Sequence, residues 1–155
     1  MKVEILTCSP TYSSFPIASW LIKYFQKTNY SHFGIKIGSV VLDATGHDVR
    51  LNSFIEYSSR YDIISSYEVE IDCDYQGIID WCSGFLNKKY GYFQLVGLLL
   101  IIMGIIKNNP FGKDATNLIC NELVVLFLRD FKGLVISDSD NYDLVSTEIL
   151  VKEFV

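Results

Sequence analysis

Two periods divide the chain. Near the N-terminus and again at "YEVEID", apolar and polar residues alternate, whereas from residue 75 onward apolar residues recur every three to four positions. The alternation predicts a first strand over Val3–Thr7, and "HFGIKIG" and "VVLDAT" read as two strands joined at Gly38-Ser39, a tight hairpin signal. Between them and the first strand, "SSFPIASWLIKYFQKT" places Ile17, Trp20, Leu21, Tyr24 and Phe25 at helical spacing, with Pro16 near the start and Ser14 before it. A short amphipathic helix is expected there. "LNSFIEYSS" reads as a short helical turn, "YEVEID" as a third strand, and "DYQGIIDWCSGFLNKKYG" as a helix carrying Ile78, Ile79, Trp81, Cys82, Phe85 and Leu86. The late part predicts a strong helix in "LICNELVVLFLRDFKG", stopped by Gly133, and a closing helix in "DLVSTEILVKEF". Strands first and helices later imply one α+β domain over residues 1–155, a small antiparallel β-sheet packed against helices.

The most apolar window, Leu95–Ile106, is read as a buried helix. Its twelve residues rise only about 18 Å as a helix, short of a ~30 Å hydrocarbon core. Adding the lead-in "YGYFQ" brings the run to seventeen, the low edge of a span, so membrane or lipid contact through 95–106 is the second and less favoured reading. Gly97 and Gly104 are read as places where another backbone comes close.

The hairpin register follows from its turn. With Gly38 and Ser39 as loop residues, Ile37 faces Val40, Gly34 faces Asp43 and His32 faces Thr45. Phe33, Ile35, Ile37, Val40, Leu42 and Ala44 then form one apolar face. His32, Gly34, Asp43 and Thr45 share the other, and Asp43 sits diagonally across from the imidazole, provided no bulge shifts the pairing.

Composition narrows the chemistry. With 155 residues, half of them apolar, and 14% aromatic, the chain can bury a core without help. A net charge of −5, with no window rich in Lys or Arg, makes nucleic acid a poor partner. Cys8, Cys73, Cys82 and Cys120 stand far apart, with no CxxC pair and no Cys/His cluster, so neither a metal nor a cofactor is implied. No basic start and apolar run precede Cys8, so "MKVEILTCS" is read as a strand and not as a lipoprotein signal. Free thiols and a cytoplasmic or virion-associated location are expected.

One cysteine stands out by position. Cys120 falls in the first turn of the strong late helix, where Asn117 or Thr116 can cap and the helix dipole favours a thiolate. A cysteine there beside a histidine forms the pair that attacks a carbonyl carbon. Taken singly, a cysteine is more often core and a strand-end histidine more often solvated.

The combination is more specific. "YSHFGIKIG", "VVLDATGHDVRLNSFIEY", "KKYGYFQLVGLLL" and "ICNELVVLFL" follow one another in an order that resembles the circularly permuted branch of the NlpC-type papain-like superfamily, the YaeF/YiiX-like proteins. In that branch a "SHVGI"-type strand carries a histidine, a "VIEA"-type strand an acid, and a late helix opens with "CSEL" at the nucleophile. The resemblance implies a permuted papain-like fold, with Cys120 as nucleophile, His32 as general base and Asp43 as orienting acid. Tyr92 or Tyr90 would help to line the site. Asp43 stands where Glu is commoner and Asn121 where Ser is commoner, which leaves His47 or a backbone carbonyl as other holders of the third role. The implied activity is that of a cysteine peptidase or amidase, with cell-wall peptide as one substrate. Two alternatives stand beside it: a lipid acyl hydrolase or acyltransferase using the same thiol, and a catalytically silent structural or virion component of the same shape.

Overall fold

The computed structural model describes residues 1–11, 16–111 and 117–133. The N-terminal alternation folds as β1 (Lys2–Pro10), β2 (His32–Ile37) and β3 (Val40–Ala44), joined by β4 (Val49–Ser53) and β5 (Tyr61–Glu70). These form one antiparallel sheet in the order β4-β3-β2-β1-β5. The helices are α1 (Pro16–Gln26), α2 (Phe54–Arg60), α3 (Tyr75–Ser83), α4 (Tyr92–Ile102) and α5 (Cys120–Lys132), and a short parallel pair joins β6 (Lys89–Tyr90) to β7 (Asn117–Leu118). The class is therefore α+β, an antiparallel sheet with helices packed on it. The closing helix expected in "DLVSTEILVKEF" lies outside the described residues, as does Ser14.

The hairpin has the expected register. Ile37 pairs with Val40 and Gly34 with Asp43, without a bulge, and Gly38 supplies the positive φ of +59° that the turn needs. Its apolar face lies under α3 and α5. Phe33, Ile35, Ile37 and Leu42 pack there with Ile78, Leu123, Val124 and Phe127, all buried. Each such side chain contributes about 1.5–3 kcal/mol of transfer free energy, which makes this face the main source of stability.

The opposite face carries a smaller core of Leu6, Cys8, Val41 and Tyr57, covered by α2. Close packing over Gly34 fixes that helix. A Cβ at Gly34 would stand 2.7 Å from Tyr57 Oη and 2.9 Å from Val41 Cγ1. Gly34→Ala is thus expected to cost about 1–3 kcal/mol by overpacking. A chemical-denaturation midpoint unchanged from wild type would contradict this packing.

Several elements differ from the sequence reading. Leu51–Ser53 does not open a helical turn but pairs with β3, and α2 starts only at Phe54, where Ser53 Oγ accepts from the Glu56 N–H at 3.2 Å. The alternation of Val49 and Leu51 with Arg50 and Asn52 is a strand pattern too short to have stood out. The apolar stripe of α1 faces outward: Trp20 is 58% and Tyr24 64% exposed, while Ala18 and Ile22 make the contact with α4. Periodicity reveals a stripe but not which side docks, and here the side of Ala18 and Ile22 packs on α4. The helix expected to be buried over Leu95–Ile106 ends at Ile102 and is buried mainly on the side of Leu95 and Leu98, with Phe93 72% exposed. Gly97 is approached most closely by the Asn109 side chain, and Gly104 has open space around it with a φ of +73°. Among the described residues no helix is long and apolar enough to cross a membrane.

Candidate active site

The site grows from the first residue of β2. Because Phe33 is turned to the main core, His32 faces α2, and the β2–β3 register puts Asp43 diagonally opposite. The imidazole Nε2–H donates to Asp43 Oδ1 at 2.6 Å, with both side chains buried. Asp43 Oδ2 has no hydrogen-bond partner among the described residues, so Oδ1 alone ties the carboxylate to the imidazole. Burial works against a charged imidazolium. The groups around it, first Asp43 and then Cys120 and Tyr61, outweigh that cost and hold His32 well above its usual 6.5. Since Nε2 is committed to Asp43, Nδ1 is the nitrogen left to exchange a proton with a reacting group.

Aromatic rings fix the plane of the imidazole. Tyr61 stacks on His32 at 4.6 Å and 9°, and Tyr57 stacks behind Tyr61 at 4.5 Å and 25°. The Tyr57 hydroxyl donates to Cys8 Sγ at 3.3 Å, in the strand position paired with His32. Burial pushes Tyr57 well above the usual tyrosine range and Cys8 up to about 11, so both remain protonated at neutral pH. Sequence reasoning missed Tyr57, Tyr61 and Cys8. The four-residue spacing of the two tyrosines at the end of α2 is the signal that could have paired them.

Cys120 is the first residue of α5, buried, with its thiol donating to Asn121 Oδ1 at 3.4 Å. The expected cap is different: α5 is opened by Ile119, whose N–H donates to Glu122 Oε2 at 2.9 Å, whereas Asn117 belongs to β7 and Thr116 lies outside the described residues. A glutamate three residues in satisfies a donor that the apolar Ile119 side chain cannot reach. α5 packs on β2, and a charge on Cys120 is felt at His32. Tyr90 belongs to the same neighbourhood. Burial pushes its hydroxyl well above the tyrosine range, with Cys120 and Tyr61 adding to the effect, so it remains a donor.

His32, Tyr61 and Tyr90 line a cavity of about 310 Å³. Tyr92 does not line it. That ring borders a neighbouring cavity of about 550 Å³ with Lys89 and Phe93, touching Tyr90 edge-on at 5.3 Å. His47 borders both cavities, but the bond to His32 is made by Asp43, so His47 does not fill the orienting role. All four cysteines are free, and among the described residues no group of His, Cys, Asp and Glu converges as a metal site.

Compared with known proteins, the chain matches no family model and no curated protein sequence.

Proposed function

We propose that the chain is a cysteine hydrolase of the permuted papain-like kind, cleaving an amide or ester through Cys120, His32 and Asp43. The buried His32–Asp43 bond at 2.6 Å carries this reading, because it orients an imidazole and leaves Nδ1 as the free nitrogen. Cys120 Sγ leaves Asn121 Oδ1 and attacks the carbonyl carbon as a thiolate, its proton resting on His32 Nδ1 in the imidazolium that Asp43 stabilises. The oxyanion that forms is held by N–H groups in the first turn of α5 and by the Tyr90 hydroxyl. His32 returns the proton to the leaving amine or alcohol as the acyl–sulfur bond is completed. Water, deprotonated by His32, then releases the acid and regenerates the thiol.

A second substrate reading, a lipid acyl group, is favoured by the outward aromatic stripe of α1 and by Phe93 and Val96 on α4. The two readings share the thiol chemistry and differ in the trapped adduct, a peptide-derived or a lipid-derived acyl group on Cys120.

Thiol reactivity tests the shared part. Burial pushes Cys8 and Cys82 up to about 11, so neither competes at pH 7.5. An electrophilic probe such as iodoacetamide should label Cys120 faster than Cys73 at that pH, with the advantage lost in His32→Ala. Labelling of Cys120 no faster than that of Cys73 would instead favour the catalytically silent component.

A further inference from the structure

The cavity beside His32 has an unusual charge. The chain is acidic, at −5, and contains three arginines (Arg50, Arg60 and Arg129) and two histidines (His32 and His47). Arg50, Arg60, His32 and His47 all line this cavity, and among the described residues no carboxylate does. Ala18 and Ile22 of α1 and Leu95 of α4 add an apolar part to the lining, alongside Ser19 of α1.

The fold places both guanidinium groups deliberately. Arg50 pairs with Asp43 across β3 and β4, so its side chain shares the His32 face, and its Nη2 donates to Thr45 Oγ1 at 3.0 Å. Arg60 ends α2 immediately before Tyr61, the ring stacked on His32. Their nearest carboxylates are Asp48, 3.5 Å from Arg50 Nε, and Glu56, 3.4 Å from Arg60 Nη2. Both contacts are ion pairs too long or too poorly aligned to be hydrogen bonds, and Arg50 Nε and Arg60 Nε and Nη2 are buried without a hydrogen-bond partner among the described residues. Two cationic groups at one cavity, held only in long pairs with partly exposed carboxylates, can exchange those partners for an oxyanion in the cavity.

We infer that the substrate carries an anionic group, a carboxylate or phosphate, which Arg50 and Arg60 hold while its scissile carbonyl lies at His32. This rests on the reading of His32 and Cys120 as the reacting pair, and it names the substrate class that the pair serves. The apolar part of the lining then accommodates the carbon skeleton between the carbonyl and the anion or beyond it.

The test compares two esters of equal chain length, 4-nitrophenyl hydrogen succinate and neutral 4-nitrophenyl butyrate. Wild type should prefer the succinate in kcat/KM by about ten- to a hundredfold, the worth of a charge-assisted pair. That preference should fall to near unity in Arg60→Gln and in Arg50→Gln, and Arg60→Lys should keep most of it. Equal rates in wild type, or a preference untouched by both glutamine variants, would overturn the inference. A second arm needs no turnover. Cys120→Ala is titrated with succinate and with inorganic phosphate while the His32 and His47 ring signals are followed by NMR. Saturable shifts that weaken on adding Arg60→Gln support the anion site, and the anion that saturates at lower concentration assigns carboxylate or phosphate; no saturation by either overturns it. Anion binding without hydrolysis of any ester would overturn the thiol mechanism and leave the anion site standing.

Discussion

Cys120→Ala is expected to reduce hydrolysis to the uncatalysed background, a loss of about 10⁵-fold or more, with the fold retained. The large effect follows from chemistry: the other buried thiols cannot take over. Cys8 is locked under the Tyr57 hydroxyl and Cys82 is buried against α5, both pushed up to about 11. The small structural cost follows from packing. Alanine is a good residue for the first helical position, and the thiol gives up only one long contact, 3.4 Å to Asn121 Oδ1. Stability should fall by about 1 kcal/mol, read from a thermal melt beside the steady-state rate. Residual turnover above a few percent of wild type would assign the nucleophile elsewhere.

Asp43→Asn should lower kcat by about 10³- to 10⁴-fold, the effect of losing the carboxylate that fixes tautomer and stabilises the imidazolium. An amide can hydrogen-bond Nε2 but brings no negative charge, so burial acts on His32 unopposed by its strongest partner. The imidazole midpoint, followed by NMR, should therefore drop from above 6.5 to below it. The sign for stability follows from the raised value in the folded state. The protonated pair stabilises fully below the unfolded value of 6.5, and that contribution is lost as pH rises through the higher folded value. Wild type should thus lose stability relative to Asp43→Asn as pH rises from 6.5 through the raised folded midpoint. Parallel stability curves for the two proteins over that interval would show that the imidazole is not held by Asp43.

The His32–Asp43 pair was legible because strict alternation in "HFGIKI" and "VVLDA" around Gly38-Ser39 leaves only one register that buries Phe33, Ile35 and Leu42 together. A one-residue shift would have put Lys36 into the main core. The rest of the site depends on tertiary contacts that no local period encodes. Tyr61 reaches His32 only because α2 ends at Arg60 and the chain turns directly into β5, which pairs with β1 across a register shift at Thr7/Cys8. Arg50 and Arg60 appear in sequence as ordinary charges on unrelated segments and meet only at the cavity. For α1 the stripe of Trp20 and Tyr24 was visible, but the side that docks is that of Ala18 and Ile22, which pack with Leu95 and Leu98. The helix start at Cys120 was found by its apolar run, and its cap was not, because Glu122 supplies it from inside the helix.

The most direct test is to mix the wild-type protein with 4-nitrophenyl hydrogen succinate, quench within the first turnovers and locate the acyl group by mass spectrometry. A succinyl mass on the peptide containing Cys120, absent from His32→Ala under the same quench, is the expected result. Hydrolysis that proceeds with no acyl group on Cys120, or with the group on Cys8, Cys73 or Cys82, would contradict the assignment.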